Sequence, residues 1–442
     1  MAQRPENQRS VPARVSTGIP GLDEVLAGGY SAHRLHLVEG APGTGKTTLA
    51  LQFLLEGVRQ GETVLYVTLS ETIEELQAVA RSHGWDLTGI RLREFAPTEE
   101  SLTPEEQYTI LHPADVELGE TTWAVLEEGE STKPARVVFA SLAELRVLAR
   151  DPLRYRRQVL GLKHFFAGRN CTVLLLDGID TPGSGLESIA HSVLSLQQSA
   201  PEYGGERRRL RVVKLRGSWF RAGYHDFVIK TGGITVFPRL VAAEHQGSVD
   251  GGIVPSNVAE LDHLLGGGLD RGTSALLVGP AGVGKSVLAK QYAVSAAERG
   301  ETVAIYIFDE SRATFLKRSD GLGLHLCDHV AEGRIRLQQL DPTQLSVGEF
   351  DHWVQQAVIN LGARVVVIDS LNGYLNAMAE ECFVLVRLHE LLSYLGQQGV
   401  LTLLTLAQHG MVGDRTESPL DVSYLADTVV LLRYFEAAGS LR

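Results

Sequence analysis

Cysteine is scarce: Cys171, Cys327 and Cys382 are the only three in 442 residues, and they lie far apart. Such spacing suggests neither a disulfide framework nor a zinc site, and fits buried thiols in a reducing cytoplasm. Positive charge is in deficit, with a formal net charge of −12. That balance argues against a broad surface for nucleic acid or an anionic membrane. No apolar run approaches the ~20 residues needed to span a bilayer. The start, MAQRPENQRSVPAR, has no apolar segment behind it to make a signal peptide, so residues 1–12 read as a disordered tail. A cytoplasmic protein is expected. Apolar residues make up 44% and charged residues 21%, the profile of a globular chain. The length calls for two domains of about 200 residues rather than one core.

The two domains are copies of each other. STGIPGLDEVLAGGYSAHRLHLVEGAPGTGKTTLALQ, from Ser16, runs in register with PSNVAELDHLLGGGLDRGTSALLVGPAGVGKSVLAKQ, from Pro255. The offset is a constant 239 residues: Gly40 falls on Gly279, Lys46 on Lys285 and Glu71 on Glu310. A period this long is a tandem duplication of a whole domain, not a small-repeat solenoid. The first copy is taken as residues 13–245 and the second as 246–442, with a polar, glycine-bearing linker around Ala242–Gly252. Each copy runs strand, glycine loop, helix, strand. That order predicts an α/β fold with mainly parallel central sheets and a ligand loop at the carboxyl end of the first strand.

The glycine loops are GAPGTGKT (Gly40–Thr47) and GPAGVGKS (Gly279–Ser286), and both fit G-x-x-x-x-G-K-[ST] in full. Gly40, Gly43 and Gly45, and likewise Gly279, Gly282 and Gly284, let the backbone curl so that successive N–H groups point at phosphate oxygens. Lys46 and Lys285 neutralise β/γ charge, and the hydroxyls of Thr47 and Ser286 are Mg²⁺ ligands. Thr48 continues the first loop into its helix, whose positive amino end faces the same anion. ATP and Mg²⁺ are the cofactors this pattern calls for, once in each domain.

A P-loop site usually also has a strand ending in a magnesium aspartate. In the second copy this is ARVVVIDS, with Asp369 lying 84 residues beyond Lys285. TVLLLDG in the first copy is tempting, but Asp177 lies 131 residues beyond Lys46. The better match is PARVVFAS, in which Ala140 takes the position of Asp369. A modest insertion near HPADVELGET accounts for the longer spacing. The first site has then lost its usual metal anchor, with Asp177 kept as the alternative carboxylate. On the strand after the P-loop helix the second copy carries Asp309 and Glu310, and the first carries Ser70 and Glu71. A carboxylate there can orient and deprotonate an attacking water or hydroxyl, so Glu71, Asp309 and Glu310 are the catalytic candidates.

The tandem P-loop domains, STGIPGLDEVLAGG, the SET and DESR strand ends, IDSL and VVKLRG (Val212–Gly217) together resemble the KaiC family of RecA-like ATPases. The resemblance covers nearly all of the chain after the tail. It implies two tandem RecA-like P-loop NTPase domains, a homohexameric ring with ATP between neighbouring subunits, and signalling through partner proteins. It also implies that Lys214 and Arg216 reach the nucleotide of the adjacent protomer. Two cations one residue apart on an extended segment do point the same way. The family's kinase autophosphorylates an adjacent Ser-Thr pair; here PLDVSYLADT offers Ser423 and Tyr424, so Ser423 is either the phosphoacceptor or an ordinary turn hydroxyl. The chain stops at Arg442 with no second KLRG, and a shortened chain with a slow second domain is expected. A Mg-dependent ATPase with serine autokinase activity is the preferred reading. A DNA recombinase or helicase of the same fold, and a nucleotide-gated scaffold with negligible turnover, are the alternatives.

Overall fold

The computed structural model describes residues 13–95, 113–178, 185–201, 204–245, 247, 251–341, 343–377, 383–408, 423–437 and 440–441. The expected tail lies outside these residues, as do parts of the expected linker. The chain forms two compact units: residues up to Ala200 with Glu206–Arg239, and Leu240 onward with Pro201–Gly205. Ala242 sits in a short 3-10 turn, Ala242–Glu244, and its N–H donates to Glu390 at 3.1 Å, inside the second unit. Among the described residues no helix is long and apolar enough to cross a membrane.

The first unit contains β1 (Leu35–Gly40), α1 (Lys46–Arg59), β2 (Val64–Thr68), α2 (Ile73–His83), β3 (Arg91–Glu94), α3 (Pro113–Thr132), β4 (Arg136–Ala140), α4 (Leu142–Ala149), α5 (Pro152–Ala167), β5 (Thr172–Asp177), α6 (Leu186–Ile189), β6 (Ser192–Ser199), β7 (Arg207–Leu215), β8 (His225–Lys230) and β9 (Gly233–Phe237). Its nine-stranded sheet has the order β9-β8-β7-β6-β1-β5-β4-β2-β3. β6 pairs parallel with β1 and antiparallel with β7, so the three strands β7–β9 extend an otherwise parallel sheet. Neighbouring residues of one strand point to opposite faces. Leu37, Leu65, Val137 and Leu175 accordingly enter one core, and Val38, Tyr66, Val138 and Leu174 enter the other. Both faces are covered, which is why these strands read as continuous apolar runs rather than alternating ones.

The second unit repeats the plan with β10 (Ser274–Gly279), α7 (Lys285–Glu298), β11 (Thr302–Ile307), α8 (Arg312–Gly321), β12 (Ile335–Gln339), α9 (Val347–Leu361), β13 (Ala363–Asp369), α10 (Leu371–Ala377), α11 (Val384–Gln397), β14 (Leu401–Ala407) and β15 (Thr428–Leu431). Its six-stranded sheet is β12-β11-β13-β14-β10-β15, all parallel. Strand for strand, this is the order β3-β2-β4-β5-β1-β6 of the first unit.

Two separately buried imidazoles give the first unit an acid sensitivity. His36 is fully buried between Ser192 Oγ at 2.7 Å and the Ser31 carbonyl at 2.9 Å, and burial lowers its pKa to about 3. Burial likewise lowers His225 to about 4. Both are neutral when folded, whereas the unfolded chain takes up protons below its own histidine pKa of about 6.5. Their stabilisation is therefore complete above that pH and is lost as pH falls toward the folded values. Each histidine should cost roughly 1.4 kcal/mol by pH 5.5. The urea midpoint of the first unit should fall between pH 7.5 and pH 5.5, and His36→Gln with His225→Gln should flatten that slope.

Candidate functional site

Each P-loop sits where the sheet delivers it, at the carboxyl end of β1 or β10. Gly43 and Gly45 take φ of 81° and 97°, and Gly282 and Gly284 take 81° and 102°, so the two loops share one left-handed path that L side chains rarely follow. A Cβ at Gly40 would stand 2.5 Å from Thr44 Oγ1, and one at Gly279 would stand 2.3 Å from the Leu432 carbonyl. Lys46 Nζ donates to the carbonyls of Gly40 and Ala41 at 2.7 and 3.0 Å; Lys285 Nζ donates to Gly279 and Pro280 at 2.9 and 2.8 Å. Both ammonium groups are thus already held over their loops. Burial lowers the pKa of Lys285, and Asp369 opposes that shift. Helices α1 and α7 start at Gly45 and Gly284 with no side-chain cap, which leaves their first N–H groups to an anion. Thr48 is buried in the first turn of α1. The donor set of lysine, uncapped amides and a hydroxyl suits a magnesium polyphosphate.

Strand pairing answers the question of the metal aspartate. Thr68 of β2 pairs with Ala140 of β4, and Ile307 of β11, the residue 239 further on, pairs with Asp369 of β13. Ala140 is therefore the spatial counterpart of Asp369. Glu39 pairs with Asp177, while its counterpart Val278 pairs with Leu406, so Asp177 stands one strand over. Its carboxylate is buried and ion-paired with Arg146. Burial raises the Asp177 pKa, with Arg146 and the more distant Lys46 pulling it back.

The candidate carboxylates differ in their resting partners. Glu71 accepts from Thr47 Oγ1 at 3.0 Å and from the Tyr66 hydroxyl at 3.2 Å. It is thus a carboxylate directly on the first unit's magnesium-type hydroxyl, despite Ala140. In the second unit, Asp369 accepts from Thr405 Oγ1 at 2.5 Å and Asp309 from the Ser370 hydroxyl. Glu310 instead accepts from Arg318 Nη1 at 3.0 Å and lies 4.0 Å from Lys290 Nζ. Arg318 and Lys290 line a cavity of about 470 Å³ with Gly282, Gly284, Lys285 and Ser286. The pattern-based reading missed both cations. The signal that exposes them is the repeat itself, since their counterparts at the 239 offset are Leu51 and Val79.

Lys214 and Arg216 lie at the other end of the sheet from their own P-loop. The Arg216 N–H donates to the His191 carbonyl at 3.1 Å, and His191 N–H to Leu35, the first residue of β1, at 2.7 Å. Gly40 ends that strand five residues later, about 17 Å away. The two cations converge on the one-turn α6: Lys214 Nζ donates to the Glu187 carbonyl and Arg216 Nη2 to Ser188 at 2.8 Å. Two further cations, absent from the motif-based reading, join them there. Lys163 Nζ donates to Ile189 at 2.8 Å and Arg156 Nη1 to Gly185 at 2.9 Å. Ser423 opens the 3-10 turn Ser423–Leu425. That turn adjoins Ser274, the first residue of β10, through Ser274 Oγ and the Leu425 carbonyl at 3.0 Å. It too is a strand length from its own P-loop. The side chain of Ser423 lies outside the described residues.

The sequence comparisons agree with this architecture. A family model described as KaiC ATPase matches residues 15–241 and again 254–442. The circadian clock oscillator protein KaiC of Picosynechococcus sp. is 25% identical over 435 residues, covering 97% of this chain and 83% of the relative. That of Synechococcus elongatus is 25% identical over 446 residues, with 97% and 83% covered, and that of Prochlorococcus marinus 24% over 441, with 97% and 86% covered. With the tandem RecA-like α/β fold, two intact P-loops and a family match across both repeats, the chain belongs to the KaiC ATPase family.

Proposed function

We propose that the protein is a cytoplasmic, Mg²⁺-dependent ATPase that assembles as a homohexameric ring, hydrolyses ATP chiefly in its second domain and acts as a clock-type signalling regulator through partner proteins. The observation that carries the ring is the separation of Lys214 and Arg216 from their own P-loop by the length of β1. Cations so placed serve a nucleotide only when a second copy brings its P-loop to them. Thr47 with Glu71 would hold Mg²⁺ in the first domain, and Ser286 with Asp369 in the second. When bound, the metal neutralises charge on the β- and γ-phosphates. Lys46 and Lys285 bind the same phosphates, and Glu310, with Asp309 as the adjacent carboxylate, receives the proton of the attacking water or hydroxyl. Ser423 is the candidate acceptor for autophosphorylation, and the position of its turn at the amino end of β10, a strand length from its own P-loop, favours transfer between chains.

Native mass spectrometry after incubation with Mg-ATP tests assembly and modification together. The expected result is a hexamer mass with phosphate at Ser423, lost in Glu310→Gln. Phosphate only at other residues, or none in a chain that hydrolyses ATP, sinks the kinase part. Phosphate release followed over hours separates the enzyme from a scaffold with negligible turnover. A net charge of −12 disfavours the recombinase or helicase reading. Salt-dependent binding of single-stranded DNA would reinstate it.

A further inference from the structure

The second domain holds its candidate base in a way the first does not. Glu310 sits between Arg318 at 3.0 Å and Lys290 at 4.0 Å. Lys290 is fixed: its side chain is 3% exposed, its ammonium lies 3.6 Å from the Phe315 ring centre, and it donates to the Phe315 carbonyl at 3.2 Å. Arg318 is free to swing, with a side chain 69% exposed, and an exposed ion pair of this kind is weak. The cavity that both line also contains the amino end of α7 and Lys285, so cations outnumber Glu310 in a pocket shaped at the P-loop. In the first unit the positions are the apolar Leu51 and Val79, and the equivalent Glu71 rests on Thr47 instead.

We infer that Arg318 is the second domain's own cation for the terminal phosphate of the nucleotide, resting on Glu310 and exchanging that carboxylate for the γ-phosphate when a nucleoside triphosphate fills the cavity. This rests on the reading of the second P-loop as a nucleotide site. Guanidinium and phosphate match in charge and in fork geometry, so the exchange trades a weak exposed pair for a stronger one. It also releases Glu310 toward the attacking oxygen. A diphosphate offers Arg318 no γ-oxygens, so with ADP the Glu310 pair persists. Arg318 therefore distinguishes triphosphate from diphosphate, and Lys290 stays as the fixed cation behind the carboxylate.

The test uses the full chain carrying Lys46→Ala, so that the second P-loop alone binds, titrated with Mg²⁺ and fluorescent ADP or a fluorescent non-hydrolysable ATP analogue. Arg318→Ala should weaken the triphosphate analogue about tenfold and change ADP by less than about twofold. Arg318→Lys should recover part of the loss. Glu310→Gln should tighten the triphosphate more than ADP, and this differential should vanish when combined with Arg318→Ala. Equal weakening of both nucleotides by Arg318→Ala, or no change in either, overturns the inference. Lys285→Ala is the separate control. If the parent chain shows no binding that depends on Lys285, the second P-loop is not a nucleotide site and the inference falls with that reading.

Discussion

Lys285→Ala is expected to remove at least about nine-tenths of ATP turnover, whereas Lys46→Ala should leave the greater part of it. Phosphoryl transfer depends on positioning and charge neutralisation, and one preorganised donor at the reacting group is typically worth ~10²–10³ in rate. Both lysines are such donors, each folded over its loop by two carbonyls. What separates the sites is the strand beside them. β13 ends in Asp369, and the matching position on β4 is Ala140, as the shared pairing with Ile307 and Thr68 requires. Asp177 does not make good the loss while Arg146 holds it. The first domain should thus bind nucleotide and turn it over slowly. Whatever turnover survives Lys285→Ala should depend on Glu71, which touches Thr47, and should disappear in Lys285→Ala with Glu71→Ala. Phosphate release at saturating Mg-ATP, at protein concentrations where assemblies persist, reads all of these variants. If Lys46→Ala abolishes turnover with the assembly intact, the two sites are assigned the wrong way round.

The mainly parallel α/β plan and the Ala140 position were legible because the chain contains its own comparison. Two copies in constant register turn strand assignment into alignment, and the substitution of Ala140 for Asp369 stands out without any coordinates. The partners of the carboxylates were not legible. Arg146 reaches Asp177 from α4, across a helix and most of a strand of intervening sequence, and a basic residue on a helix face carries no sign of what it will meet. Arg318 and Lys290 escaped for the same reason: helical spacing marks a face as polar without saying that a P-loop lies beneath it. The cluster of Arg156, Lys163, Lys214 and Arg216 shows the other limit. Net charge averages over the surface, and a chain at −12 still gathers four cations around one turn of helix. Alternation placed Lys214 and Arg216 on one side of a strand; only strand pairing says which end of the sheet they occupy.

Lys214→Ala with Arg216→Ala should dissolve nucleotide-dependent assembly while leaving each P-loop able to bind. Lys214 and Arg216 crowd one another, and the Lys214 pKa is lowered by burial first and by Arg216 second. The carbonyls of α6 offset that repulsion only with partial charges. A polyphosphate from a neighbouring chain would offset it with full ones. Charge-assisted hydrogen bonds are worth about 1.5–3 kcal/mol each, and about 1.4 kcal/mol is a factor of ten in association. Losing both cations should then weaken each ATP-filled interface by at least about a hundredfold. The fold should tolerate the change, since Arg216 is exposed and Lys214 only half-buried, and water can take over the freed carbonyls. Native mass spectrometry or sedimentation in Mg-ATP should show hexamers replaced by single chains, with nucleotide-free samples of the two proteins indistinguishable. The paired replacement Lys214→Arg with Arg216→Lys keeps the charge and should restore assembly in part, because an interfacial ATP would stabilise a ring by mass action. A double-alanine chain that still forms hexamers with the same ATP dependence would remove the trans-acting role of these cations, and the ring would then have to be held by surfaces other than the nucleotide.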